Sequence, residues 1–301
     1  MPPKDNYKLK KGFTVLELLI VIAIIGIFAG VVMVRMSKPT DKAKIASSQV
    51  FSDSIRHSLM ANRVAEWKFD EAAGTLASDT MAAGNGDMIN FNAGNNFGWR
   101  SGAECVFGSC LKFDGANDYI NVSADLGDPS EMTIDLWFKK ANINAGSQYL
   151  MDARNGGNWY LLQDYRSGAG CPDQNGNVCF NGRVEIGSQY LANDTWENVV
   201  VVQNPSFTKI YLNGELKKTG TGADPDIGQD LRIGRRYNSG NSFNGFMDEV
   251  RIYNKAMSIS SIQKNYAIGL EGLFASGQMN KDEYQKRLVG LERAGNFACQ
   301  R

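Results

Sequence analysis

The most uneven feature of the chain is a continuous apolar segment near its N-terminus. Residues 13–34 fill 22 positions with a single charged side chain, Glu17. As an α-helix rising 1.5 Å per residue, this segment would be about 33 Å long, which is enough to cross the core of a bilayer. Residues 1–12 carry four lysines and one aspartate, and such basic flanks stay in the cytoplasm. The pattern predicts a single-pass membrane helix with the rest of the chain outside.

A less regular helical period continues through residues 35–63. Pro39 should bend or interrupt this helix, because proline lacks the backbone N–H and disfavours α geometry in the residue before it. We predict an amphipathic stem that packs on a globular head or on adjacent subunits. Its apolar stripe covers about one third of the helical circumference and includes Ile45, Phe51, Ile55 and Leu59.

In residues 64–257 the helical spacing of apolar side chains gives way to short strand-like runs. At least ten short alternating or apolar runs follow one another there, separated by clusters of Gly, Asn and Asp. The runs are Val64–Phe69, Cys110–Phe113, Tyr119–Val122, Met132–Phe138, Trp159–Gln163, Arg183–Ile186, Trp196–Gln203, Thr208–Leu212, Asp230–Ile233 and Phe246–Tyr253. Asn213-Gly214 lies between two such runs and has the composition of a two-residue hairpin turn. Many short strands without a long helical period between them are typical of an antiparallel sandwich. The fold class predicted is mainly β.

Helical signals return in residues 258–301. Ser258 and Asn280 are suitable N-cap residues, and Glu283 follows Asn280 at capping-box spacing. The segment therefore predicts a helical hairpin. It could pack on the head or stem, or it could act in oligomerisation, because it weakly resembles a short helical oligomerisation motif of bacterial membrane-associated proteins. The side chains predicted to join the two helices are Leu270, Leu273, Tyr284, Leu288 and Leu291.

The charge of the chain is balanced overall but not along its length. The 32 Lys+Arg match the 32 Asp+Glu, whereas residues 64–257 hold 16 basic against 24 acidic side chains, a net charge of −8. Because nucleic-acid-binding proteins usually carry a basic surplus, no nucleic-acid partner is expected. The single histidine, His57, removes His-rich zinc sites and makes a Ser/His triad improbable.

Residues 10–20, KKGFTVLELLI, resemble the class III signal of type IV pilins and pseudopilins. A cleaved secretory signal is the alternative, but the apolar run is longer than usual and lacks a small-residue cleavage site. The resemblance implies that a prepilin peptidase cuts after Gly12 and methylates the new N-terminus at Phe13. It also implies assembly with other pilin subunits through the apolar helix. A carboxylate in hydrocarbon is costly, so Glu17 is expected to pair with the Phe13 amine of a neighbouring subunit. The alternative is a glutamate near the helix N-terminus whose side chain only extends to the membrane interface.

Residues 64–257 resemble the concanavalin A-like jelly rolls of the laminin G-like group. The matching pieces include LKFDG at 111–115, MTIDLWF at 132–138 and MDEVRIY at 247–253. The resemblance implies two stacked, curved antiparallel sheets that bind sugars or proteins, cleave glycans or provide bulk. Retaining glycanases on this fold need two carboxylates on one strand face. Asp248 and Glu249 are adjacent and should point to opposite faces, so no catalytic residue and no enzyme activity are expected.

The same resemblance implies a structural Ca²⁺ ion near the edge of the sandwich. Asp79, Asn85 and Asp248 occupy the matching neighbourhood, and calcium favours such oxygen ligands. The alternative is a solvated acidic loop with an aspartate that caps a turn. No organic cofactor is expected.

Aromatic side chains in polar segments are the candidates for stacking on sugar rings. They stand beside Gly- and Asn-rich stretches, whereas other aromatic residues fall on apolar strands and are expected in the core. The candidates for ligand binding are Trp99, Trp159, Tyr165 and Tyr237.

The cysteines fit an oxidising compartment outside the membrane. Cys105 and Cys110 enclose one short loop, and Cys171 and Cys179 enclose another, so each pair could close a local disulfide. A four-cysteine zinc site is the alternative, but the second spacing is too wide for the usual knuckle. Cys299 is left over.

These patterns predict an N-terminal leader (1–12), a transmembrane and filament-core helix (13–34), a stem helix (35–63), a β-sandwich head (64–257) and a helical hairpin (258–301). The expected function is that of a type IV pilin-like subunit whose lectin-like head adheres to glycans or proteins. The alternative is a pseudopilin of a type II secretion or DNA-uptake machine whose head contacts other machine components. The subunit would lie in the cytoplasmic membrane before assembly, and in an extracellular pilus or a periplasm-spanning pseudopilus afterwards.

Overall fold

The computed structural model describes residues 61–141, 147–154, 159–163, 178–182, 184–187, 190–228, 230–238 and 240–293. All of them lie in the second of the two units of the chain, Ser58–Arg301. The predicted leader, membrane helix and nearly all of the stem therefore lie outside the described residues. No helix within the described ranges is both long enough and apolar enough to cross a membrane.

Two antiparallel sheets of eight strands each form the body of the head. The strands are numbered in chain order. Seven strands of the first sheet follow the order β14-β13-β12-β7-β16-β5-β4, and β1 pairs with β16. The strands of this sheet are β1 (Arg63–Trp67), β4 (Trp99–Ser101), β5 (Ser109–Asp114), β7 (Met132–Lys140), β12 (Trp196–Gln203), β13 (Phe207–Leu212), β14 (Glu215–Thr221) and β16 (Asn244–Tyr253).

The second sheet follows the order β11-β10-β9-β8-β15-β6-β3-β2. Strands β8 to β11 follow one another as a meander, whereas β15 pairs with β8 and β6, which are distant from it in sequence. Such long crossovers are expected for a jelly roll rather than a simple meander. Its strands are β2 (Leu76–Ala77), β3 (Gly86–Ile89), β6 (Tyr119–Val122), β8 (Gln148–Asp152), β9 (Tyr160–Gln163), β10 (Val178–Phe180), β11 (Val184–Ile186) and β15 (Leu231–Ile233).

The inner faces of the two sheets share one apolar core. Side chains alternate between the faces of a strand, so β7 contributes Ile134, Leu136 and Phe138 to this core, while β15 contributes Leu231 and Ile233. The prediction of a mainly β, concanavalin A-like sandwich is confirmed.

The centre of the first sheet is buried on its outer face as well, whereas the edge strand β14 is mostly exposed. All nine residues of β7 and all eight of β12 are buried, because two helices cover them: α1 (Ile259–Ala275) and α2 (Lys281–Arg293). The indole ring of Trp137 on β7 stacks on Tyr266 of α1, with ring centroids 5.5 Å apart and 15° between the planes. The predicted helical hairpin is therefore present and packs on the head.

Both helices begin where the sequence predicted. The hydroxyl of Ser258 accepts a hydrogen bond from the backbone N–H of Ser261 at 3.2 Å. The side chain of Asn280 accepts one from the N–H of Glu283 at 2.9 Å. Glu283 itself pairs with Arg287 at 2.9 Å, so this cap has one arm of a capping box and an i,i+4 ion pair.

A short loop closed by a disulfide forms hydrogen bonds both to the first sheet and to the end of the first helix of the hairpin. Cys105 and Cys110 form a disulfide. Two backbone N–H groups inside the loop donate to the buried carboxylate of Asp248 at 2.9 and 3.1 Å. The carbonyl of Cys105 accepts a hydrogen bond from the hydroxyl of Ser276 at 3.0 Å. The carbonyl of Glu104 accepts one from the indole N–H of Trp196, also at 3.0 Å. The loop thus contacts β16, β12 and the end of α1 together.

Strand β16 contains a bulge at Glu249. This residue has a φ of 54°, and the register with β7 shifts between Asp248 and Arg251. Met247 and Val250 both reach the inner core although they are three residues apart. Strict alternation therefore does not hold across the bulge, because one extra residue resets the faces of the strand.

The close approach of α1 to the first sheet generates a test. A Cβ atom at Gly269 would overlap the indole ring of Trp137, whereas a Cβ at Gly290 on α2 would enter open space. We predict that Gly269→Ala lowers the free energy of unfolding by about 1–3 kcal/mol through overpacking. Gly290→Ala should raise it by up to about 1 kcal/mol through helix propensity. Chemical denaturation measures both, and equal effects of the two substitutions would contradict this packing.

Candidate functional site

The outer face of the second sheet carries polar side chains in register across three strands. Arg232 on β15 lies opposite Asn121 on β6 and opposite Asp152 on β8. Its neighbours Leu231 and Ile233 enter the inner core, so Arg232 projects from the opposite, outer face.

A tight turn directly after β15 determines where the next residues lie. Gly234 has a φ of 90°, and a Cβ atom there would overlap the ring of Phe113, so only glycine fits. The N–H of Gly234 donates to the carbonyl of Leu150 at 2.9 Å, and its own carbonyl accepts from the N–H of Phe243 at 2.7 Å. These bonds hold the start of the segment 235–237 against the sheet.

A buried carboxylate holds the end of the same segment. Asp152 is fully buried and accepts a hydrogen bond from the backbone N–H of Tyr237 at 3.1 Å. It also accepts from the backbone N–H and Nε of Arg154 at 3.1 and 2.9 Å. The bond from the guanidinium raises the pKa of Arg154 above its ordinary value, although burial acts in the other direction.

Arginine and tyrosine side chains alternate above this face. The guanidinium of Arg232 lies between two tyrosine rings, 4.8 Å from the centroid of Tyr119 and 4.8 Å from that of Tyr237. Arg232 also donates to the carbonyls of residues 236 and 237. Arg235 lies over the Tyr119 ring at 5.4 Å, so one ring contacts two cations.

A second tyrosine extends the group. Tyr149, on β8, has Arg154 at 5.2 Å and Arg236 at 5.9 Å from its ring centroid. We call the whole group the arginine–tyrosine cluster: Arg154, Arg232, Arg235, Arg236, Tyr119, Tyr149, Tyr237 and the anchoring Asp152.

The cluster holds hydrogen-bond donors that the described protein does not use. The Nε atoms of Arg235 and Arg236 are buried, and neither has a partner among the described residues. Both side chains remain partly exposed. A surface with planar donors beside aromatic faces can bind polar ring compounds by stacking and charge-assisted hydrogen bonds.

Two of the predicted ligand-binding aromatic residues are in the wrong place for that role. Trp99 is 2% exposed and donates its indole N–H to the carbonyl of Gly74 at 2.8 Å. Trp159 is fully buried and stacks on Phe180 with centroids 5.9 Å apart. Neither indole presents a face to a ligand, because both belong to the core between the sheets.

The other two predicted ligand-binding residues, Tyr165 and Tyr237, have different outcomes. Tyr165 lies outside the described residues, whereas Tyr237 is partly exposed and belongs to the arginine–tyrosine cluster. The four arginines were not predicted as site residues. The signal for three of them was the short segment LRIGRRYN at 231–238, which is basic and aromatic within an acidic head.

The predicted calcium ligands in the loop after β2 have another task. The two carboxylate oxygens of Asp79 accept four backbone N–H groups at 2.8–3.0 Å, from Glu66, Met81, Ala83 and Gly84. The side-chain oxygen of Asn85 accepts the N–H of Asp79 at 2.9 Å. Since backbone N–H groups point at these oxygens, Asp79 and Asn85 do not fit a calcium site and instead fold the loop.

Asp248, the third predicted calcium ligand, holds backbone N–H groups of the loop at Cys105, and its part in a calcium site stays a prediction. Burial raises the pKa of its carboxyl well above the ordinary value, although two backbone N–H groups act against this. One oxygen receives those N–H groups, and the other is buried without a partner in the described structure. The described residues contain no cluster of three or more His, Cys, Asp or Glu side chains suited to a metal ion.

The first predicted disulfide, Cys105–Cys110, is confirmed. Cys179 is also disulfide-bonded, but its predicted partner Cys171 lies outside the described residues, as does Cys299. The pairing of Cys179 therefore remains a prediction.

Comparisons with known proteins agree with the two resemblances found in the sequence. Residues 7–33 match the model of the prokaryotic N-terminal methylation motif. Residues 114–263 match the model of the concanavalin A-like lectin/glucanases superfamily. The chain thus combines a pilin-type methylation motif with a lectin-like jelly roll. No curated protein matches the chain.

Solved structures support the fold. Domain 4 of AbnA, a GH43 extracellular arabinanase from Geobacillus stearothermophilus solved with arabinotriose, is 19% identical, with a TM-score of 0.51 and coverage of 67% of this chain and 97% of that domain. The ligand binding domain of botulinum neurotoxin serotype D, solved with N-acetylneuraminic acid, is 16% identical, with a TM-score of 0.53. The match covers 70% of this chain and 52% of the neurotoxin chain. This chain thus spans about half of the neurotoxin domain. At these identities the likeness is one of fold.

The role assigned to Asp79 gives a prediction about metal removal. We expect EDTA to leave the thermal midpoint of the full chain unchanged, because Asp79 holds backbone N–H groups rather than a cation. Asp79→Ala should destabilise the fold by about 1–3 kcal/mol for each buried donor left without a partner. Asp87→Ala, at an exposed position of β3, is the matched control and should be neutral. A chelator-sensitive midpoint that becomes insensitive in Asp79→Ala would instead show a metal at this site.

Proposed function

We propose that this chain is a type IV pilin-like structural subunit with an adhesive, lectin-like head. The observation that carries the proposal is the presence of an N-terminal methylation motif at 7–33 and a concanavalin A-like domain at 114–263 in one polypeptide. Processing after Gly12 by a prepilin peptidase would leave Phe13 as the methylated N-terminus. The apolar helix then anchors the subunit in the cytoplasmic membrane and, after assembly, packs with other subunits in the filament.

The head contributes binding rather than catalysis. Two proteins of similar fold were solved with arabinotriose and with N-acetylneuraminic acid, which supports a sugar ligand for this head. The arginine–tyrosine cluster offers partly exposed Tyr119 and Tyr237 rings beside arginine donors. We assign glycan adhesion to this cluster, on the outer face of the second sheet.

A pseudopilin of a secretion or DNA-uptake machine is the second candidate, because the same N-terminal motif occurs in that class. In this role the head would contact other machine components. Surface filaments that contain the chain, seen by immunogold electron microscopy of intact cells, support the pilin proposal. A chain that is processed but confined to the periplasm supports the pseudopilin instead.

Replacement of the single charge in the apolar segment tests the assembly mechanism. We predict that Glu17→Ala abolishes filaments while the chain still fractionates with the membrane, because the Phe13 amine of the neighbouring subunit loses its partner. Glu17→Asp keeps the charge and should retain part of the assembly. Sheared filaments and membrane fractions are compared by immunoblot. Normal filament yield from Glu17→Ala would show that this ion pair does not direct assembly.

A further inference from the structure

Three guanidinium groups of the arginine–tyrosine cluster have no carboxylate partner among the described residues. Asp152 pairs with Arg154, and within the described part of the chain Arg232, Arg235 and Arg236 form no ion pair. The guanidinium of Arg232 donates hydrogen bonds to the carbonyls of residues 236 and 237. Arg235 and Arg236 touch tyrosine rings and retain buried Nε donors without an acceptor. The site therefore holds uncompensated positive charge with free donors.

This charge stands out against the rest of the head. Residues 64–257 contain 16 basic and 24 acidic side chains, and four of those 16 lie in this one cluster with a single aspartate. Arginines of like charge close together repel one another, so their grouping is unfavourable unless an anion binds between them. An arginine fork matches the planar oxygens of a carboxylate or sulfate group.

The neighbouring rings indicate what carries that anion. Tyr119 and Tyr237 are partly exposed and lie beside the cationic groups, so a sugar ring with an attached acidic group could contact the tyrosines while its anion meets the arginines. A nucleic acid would extend over more of the surface and meet the surplus of acidic side chains. The favoured ligand is therefore a short acidic part of a glycan.

We infer that the arginine–tyrosine cluster selects acidic sugars, with Arg235 and Arg236 binding the carboxylate or sulfate group and Tyr119 and Tyr237 contacting the sugar ring. This inference rests on the proposed adhesive function and specifies its ligand class. Arg232, Arg154 and Asp152 are positioning residues, because they hold the segment 235–237 in place.

Binding of the full chain in detergent micelles to two matched pairs of polymers tests the inference. Polygalacturonate is compared with its methyl-esterified form, and dextran sulfate with dextran, so that each pair shares one sugar backbone and differs in the charged substituent. We expect binding to a charged member to exceed binding to its neutral partner by about tenfold or more, which corresponds to one or two charge-assisted hydrogen bonds. The pair with the larger ratio identifies carboxylate or sulfate as the preferred group.

Variants connect that preference to the site. Arg235→Gln with Arg236→Gln should remove the preference for the charged polymer. Lys217→Gln with Lys218→Gln removes the same two charges from β14, where Lys217 also lies over a tyrosine ring at 4.8 Å, and should leave binding unchanged. Arg235→Lys with Arg236→Lys keeps the charge without the planar fork and should bind with intermediate affinity. If circular dichroism shows that the glutamine variant does not fold, the lysine variant tests the site in its place.

The failures of the two proposals are distinct. Equal binding of charged and neutral polymers, or an equal loss in the lysine control, overturns the inference and leaves the glycan-binding head in place. Competition by duplex DNA as effective as that by the acidic polysaccharide also overturns it, because the site would then respond to charge alone. Absence of binding to all four polymers also overturns the inference, and absence of binding to every component of a glycan array rejects glycan adhesion itself.

Discussion

Burial of the centre of the first sheet on both faces is the constraint on which the rest of the head depends. Strands β7 and β12 are buried along their full length, and their outer side chains include Trp137 and Trp196, which must be covered. The helical hairpin and the disulfide-closed loop at Cys105 provide that cover. The hairpin is thus a third layer of the fold, and the central strands β7 and β12, unlike the exposed edge strand β14, have no free face for a ligand. The second sheet, with Arg232 projecting from it, carries the proposed binding site.

Much of this architecture could be predicted from local patterns. Strand bounds at Tyr119–Val122 and Trp196–Gln203 agree with the predicted runs, because alternation or a long apolar run marks them clearly. Strands β2, β3, β4, β8 and β10 were not predicted. Most have too few residues to show a period, and β8 is buried throughout, so it has no polar side to alternate. The bulge at Glu249 also has no signal in the local sequence, because the extra residue becomes visible only when β16 is paired with its neighbouring strands.

The candidate site was less predictable than the fold. Tyr237 was identified from its polar surroundings, but the same criterion selected Trp99 and Trp159, which are buried. A Gly- and Asn-rich neighbourhood does not reveal whether a nearby ring turns inward. The contact of Arg232 with Tyr119 spans 113 positions of sequence and arises only because β15 pairs with β6. In contrast, the N-terminal motif is contiguous, so its residues could be read directly.

The central claim is that ligand meets the second sheet and not the helix-covered one. Hydrogen exchange of the full chain, with and without oligogalacturonate, measures this most directly. The account predicts slower amide exchange in residues 231–238 and 152–154, with no change in α1, α2 or the loop at Cys105. Slowed exchange in the hairpin or that loop, with residues 231–238 unaffected, would contradict it.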